Sequence, residues 1–158
     1  MRYALIAICL MLAGCDRDES SSTSGGASGG HSHAAPHGGV LAELGEHEAA
    51  AEVTLDRATG TLDLYLLDSH AENPVRIAQE TIRATVDVRQ GEKVEIELKS
   101  VASELTGEKA GDSSQFRGQH EKLVTPGQVR VELGEMNLRG KTYDGVNVDI
   151  PAAGGNAP

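Results

Sequence analysis

The sequence predicts an all-β protein: a single antiparallel β-sandwich, immunoglobulin-like, behind a signal peptide and a disordered tether. Three observations carry this. Apolar residues recur at every second position in six separate stretches, the period of half-buried antiparallel strands. Turn signals separate these stretches at intervals of about ten residues, the spacing of sandwich and barrel strands. Helical spacing of apolar residues is weak throughout the folded part, where only residues 42–51 are rich enough in Ala and Glu to favour a helical turn.

The elements follow in order. His37-Gly38-Gly39 falls where the tether meets the first strand, and paired glycines allow unusual backbone angles there. Gly45 interrupts the Ala/Glu stretch, and the alternation of Ala49, Ala51, Val53 and Leu55 predicts a strand beginning near His47. After a turn at Ala58-Thr59-Gly60, Leu62, Leu64 and Leu66 alternate again. Ile82, Ala84, Val86 and Val88 make the next strand, Gln90-Gly91 a turn, and Val94, Ile96 and Leu98 its partner. Residues 102–118 carry Gly107, Gly111 and many polar side chains, which predicts a long loop with little regular structure. Val129, Val131 and Leu133 then form a late strand, and Val146, Val148 and Ile150 the last one.

The N-terminus places the chain. Arg2 is followed by an almost wholly apolar run from Tyr3 to Ala13, the layout of a secretory signal peptide. That run is too short to span a bilayer, which needs roughly 20 residues. Leu12-Ala13-Gly14-Cys15 resembles the lipobox of bacterial lipoproteins. The resemblance implies lipidation of Cys15, with diacylglycerol on its sulfur, cleavage before it and a further acyl chain such as palmitate. Two or three chains make attachment to the membrane effectively permanent. The expected location is the bacterial cell envelope, lipid-anchored and facing the periplasm. Asp16 resembles the residue that retains lipoproteins on the inner membrane of enteric bacteria, a rule that does not extend to all bacteria, so either membrane fits. The expected divisions are 1–14 signal peptide, 15–35 lipidated Ser/Gly tether, 36–150 β-sandwich domain and 151–158 disordered tail.

Composition excludes several functions. Cys9 and Cys15 are the only cysteines, so the segment after Cys15 holds neither a thiolate metal site nor a cysteine nucleophile. From Cys15 onward 24 acidic residues face 13 basic ones, a net charge near −11. That argues against nucleic acid and anionic headgroups as partners, because both reward basic patches. Only Tyr65, Phe116 and Tyr143 supply aromatic rings there, too few for a stacking platform. Met136 is the sole methionine of that segment, where a copper(I) carrier needs several soft ligands. The common catalytic signatures are missing, and a non-enzymatic protein is expected.

The densest chemistry is His31-Ser32-His33-Ala34-Ala35-Pro36-His37. Three imidazoles this close can meet one divalent ion, and neutral imidazole suits zinc, nickel and copper(II). His47 lies between Glu46 and Glu48, but in a strand those carboxylates point to the opposite face. The candidate metal ligands are therefore His31, His33, His37 and His47. His70 and His120 fall in loops, with Asp68 close to His70.

His37-Gly38-Gly39-Val40, Ala51-Glu52-Val53, the run from Gly60 to Asp68, Pro74-Val75, and Ser114-Gln115-Phe116 with Leu123 together make a wider pattern. It resembles a small periplasmic β-domain found in stand-alone bacterial lipoproteins. It is similar to the N-terminal domain associated with heavy-metal efflux adaptor subunits, over about residues 37–124. The resemblance implies a metal-related periplasmic role and carries over His37 alone as a ligand. It does not bring the helical hairpin with which an adaptor bridges two membranes. The expected function is thus a membrane-anchored domain that binds divalent metal ions. The alternative is a structural or interaction module meeting an envelope protein partner, with incidental histidines.

Overall fold

A computed structural model describes residues 34–154 except Gln90 and Pro126. All of these lie within one compact unit. It is an antiparallel β-protein of ten strands: β1 (Val40–Leu44), β2 (Ala49–Asp56), β3 (Thr61–Asp68), β4 (Thr81–Arg89), β5 (Glu92–Ser100), β6 (Gln115–Gln119), β7 (Val129–Leu133), β8 (Met136–Leu138), β9 (Lys141–Tyr143) and β10 (Val146–Ile150). One turn of 3-10 helix, Glu121–Leu123, links β6 to β7.

Eight strands form one sheet in the order β1-β2-β3-β6-β5-β4-β7-β10, and β8 pairs with β9 as a separate hairpin. The two ends of that order, β1 and β10, lie beside each other, so the sheet curls into a barrel-like sandwich. The all-β expectation therefore holds.

Alternation explains the core. Ala51 and Val53 of β2, Leu62, Leu64 and Leu66 of β3, and Ala84 and Val86 of β4 are all fully buried. Phe116 of β6 joins them in the same cluster. At about 25 cal/mol per Å² of apolar surface, each large side chain so buried contributes roughly 1.5–3 kcal/mol. The end near the β2–β3 turn is closed by Arg57, whose guanidinium donates to the carbonyls of Thr125, Gly127 and Pro151 at 2.5–2.8 Å.

Three expectations are corrected. The chain becomes extended earlier than the alternation indicated, because Val40–Leu44 is already a strand, paired Val40↔Val53 through Leu44↔Ala49. β2 begins at Ala49 rather than near His47; Gly45 and His47 take left-handed backbone angles, φ 67° and 59°, in the tight turn between them. The last residues of the expected long loop also belong to the sheet: Gln115–Gln119 forms β6, which bridges β3 to β5.

β2 is buried on both faces. Its inward residues join the main core, while Ala50 packs outward against Leu67, Ala71 and Leu41. The outward side of the β1-β2-β3-β6 layer carries one cross-strand row, Leu41↔Glu52↔Tyr65↔Gln115. The segment before β1 folds over this row.

Candidate functional site

The site is built around a carboxylate that simple alternation places on a solvent-facing position. Glu52 stands on the outward side of β2, yet its side chain is 0% exposed. A buried carboxylate needs donors to replace lost water. They come from the strap before β1. The amides of His37 and Gly39 both donate to Glu52 Oε1 at 2.8 Å. His37 Nδ1 lies 2.7 Å from the second oxygen, Oε2.

The strap's sequence follows from this. Gly38 adopts φ 74°, a region costly for residues with a Cβ. Gly39 has another role: a Cβ there would lie 2.8 Å from Thr54 Cγ2 and 2.9 Å from the Val53 carbonyl carbon. Only glycine brings the chain close enough for both amides to reach one oxygen.

Tyr65, the β3 partner of Glu52, completes the socket. Its ring stacks on the imidazole of His37 with centroids 3.7 Å apart and planes 5° from parallel. The phenol oxygen of Tyr65 accepts from Gln115 Nε2 at 3.3 Å, and the same amide donates to Asp63 at 2.9 Å. Arg117 grips Asp63 through two bonds, at 2.7 and 3.2 Å. Burial, and then the Asp63 carboxylate, push the Tyr65 phenol above its ordinary pKa. Its hydroxyl thus stays protonated at neutral pH.

His37 is held at Nδ1 by Glu52 and on one face by Tyr65, and is otherwise open. Its side chain remains 40% exposed. A carboxylate in its ionised form only accepts, so a bond from His37 to ionised Glu52 carries its proton on Nδ1 and leaves Nε2 as the nitrogen available to a ligand. Buried carboxylates commonly support metal-binding histidines in this way. Beside the strap runs a groove of about 400 Å³, lined among others by His37, Val40, Thr54, Asp56, Ile150 and Pro151.

The structure separates His47 from His37. One precedes β1 and the other follows it, so the whole length of that strand lies between them. His47 is 57% exposed, with Nδ1 3.4 Å from Glu43 Oε1. Its neighbour Glu48 turns to the β9 hairpin, bonded by Lys141 and by the Tyr143 hydroxyl, the latter at 2.6 Å. Those bonds, Lys141 first, hold Glu48 below its ordinary pKa. His120 caps the 3-10 turn, Nδ1 accepting from the Lys122 amide at 3.1 Å. Cys15, His31 and His33 lie outside the described residues. Among the described residues no three His, Cys, Asp or Glu side chains gather as a metal site, and no helix is long and apolar enough to cross a membrane.

Sequence reasoning found His37 and its two glycines but gave Glu52 and Tyr65 no role. The one available signal was their position, two outward residues facing a strap with His and paired Gly. Comparison with family models, with curated proteins and with solved structures finds no match.

Proposed function

We propose that this chain is a lipid-anchored envelope protein, non-enzymatic, that binds divalent metal ions at the junction of tether and barrel. The observation that carries the reading is the Glu52–His37 pair. It engages Nδ1 of a partly exposed ring and so leaves Nε2 as the nitrogen for an ion, with His33 and His31 four and six residues upstream. His37 is the fixed ligand, and His31 and His33 are the other candidate ligands. Neutral nitrogen ligands favour zinc, nickel or copper(II) over magnesium or calcium. The acidic surface draws cations towards the domain without selecting among them.

The lipobox-like Leu12-Ala13-Gly14-Cys15 supports the anchor. The likeness to the β-domain of metal-efflux adaptors supports a metal-homeostasis context. Equilibrium dialysis of the full chain in detergent against zinc, nickel and copper(II) tests the reading. One bound ion per chain, lost in His37→Ala, is expected. Undiminished binding by His37→Ala, or none by the parent chain, would leave the interaction-module alternative.

A further inference from the structure

The two oxygens of Glu52 have separate duties. Oε1 takes both strap amides, while Oε2 takes only the imidazole. The first oxygen therefore holds the backbone, and the second decides which ring nitrogen carries the proton. Tyr65 lies flat against one face of the ring, and the Gln115–Asp63–Arg117 chain braces that phenol. Rotation of the ring would break both the stack and the bond to Oε2.

We infer that Glu52 and Tyr65 are positioning residues for metal capture: Glu52 sets the tautomer that opens Nε2 to the ion, and Tyr65 locks the plane of the ring. This rests on the metal-binding reading.

The assignment makes an unusual demand of Glu52→Gln. Glutamine keeps a carbonyl oxygen in the place of Oε1, so both amide bonds and the strap survive. It puts an amide NH₂ in the place of Oε2. That group donates, so Nδ1 must become the acceptor and the ring proton moves to Nε2, blocking the metal-facing nitrogen. Loss of such outer support costs about 10–100-fold in metal affinity. Tyr65→Phe keeps the stacked ring and should bind within about threefold of the parent chain, whereas Tyr65→Leu removes the stack and should weaken binding by about tenfold.

The test has two arms on the full chain, labelled with ¹⁵N-histidine and purified in detergent. Long-range ¹⁵N–¹H correlation without metal reads the His37 tautomer, the signals being assigned by their loss in His37→Ala. The expected result is Nδ1–H in the parent chain and Nε2–H in Glu52→Gln, with protected His37 and Gly39 amides in both. Zinc titration of the same samples gives the affinities. The same tautomer in both proteins, or equal zinc affinity despite the switch, overturns the positioning role. Should Glu52→Gln lose its amide protection, the Tyr65→Phe and Tyr65→Leu pair decides instead, equal affinities overturning the inference. A parent chain with the expected tautomer that binds no zinc, nickel or copper(II) instead sinks the metal reading.

Discussion

Gly39→Ala should release the strap, and the structure sets the size of the effect. The new Cβ would meet Thr54 Cγ2 and the Val53 carbonyl, one a side chain in β2 and the other its rigid backbone. β2 cannot yield, since it is paired with β3 over eight residues; the strap must move instead. Three of the strap's bonds, from His37 and Gly39, end on Glu52, and bonds to a charged group contribute about 1.5–3 kcal/mol each. The half-exposed imidazole belongs at the weak end of that range. Against this gross total of roughly 5 kcal/mol stands the conformational entropy of ordering the strap, about 1 kcal/mol or more per residue. The expected net loss is about 2–3 kcal/mol, because the freed Glu52 regains water. Urea unfolding followed by circular dichroism measures it, with a fall in melting temperature of about 8–10 °C at this chain length. Hydrogen exchange should show that the His37 and Gly39 amides have lost their protection. Gly38→Ala is the control: no atom lies within 4 Å of its Cβ, so it pays only for its left-handed backbone, about 1 kcal/mol, and keeps both amides protected. If Gly39→Ala unfolds within about 1 kcal/mol of the parent with both amides still protected, the strap argument fails.

Phe116→Ala empties the centre of β6 and should cost about 3–5 kcal/mol in urea unfolding, enough to separate a strand residue from one in an irregular loop. Bonds from the Asn73 side chain and then the Glu72 amide hold Asp68 at about 2, against an ordinary 3.8. A depressed folded value stabilises above the unfolded one, so that contribution is complete above about pH 4 and disappears as pH falls towards about 2. Carbon-detected titration of the Asp68 carboxyl should follow that course, and a midpoint near 3.8 would remove the loop's bonds from the account. Cys15→Ser should abolish incorporation of labelled fatty acid into the protein, and label that persists would refute the anchor.

The fold was legible where one face of a strand is apolar and the other polar. β3, β4, β5, β7 and β10 show that contrast, and their inward residues match the alternation. β1 lacked the contrast, since Val40, Leu41 and Ala42 are successive apolar residues, each partly buried. β6 hid behind its composition. Phe116 alone marks its inward face, among Gln115, Arg117, Gly118 and Gln119, and its status as a strand comes from partners β3 and β5, fifty or more and about seventeen residues away. The site was half legible for a related reason. His37 and its glycines cluster in sequence, but Glu52 and Tyr65 reach them through strand register, which period-two reading cannot supply. A carboxylate at an outward position reads as solvated until the strap that covers it is known.

Isothermal calorimetry on the full chain tests the central claim most directly, with zinc, nickel and copper(II) added in turn to the parent and to the variant with His31, His33 and His37 all changed to Ala. Binding should be strong near pH 7.5 and weaken as the solution is acidified, because ligation needs the deprotonated imidazole. The triple variant should keep only the weak, salt-sensitive attraction of an acidic surface. Equal, pH-independent affinity in the two proteins would contradict the account and leave the histidines without a metal role.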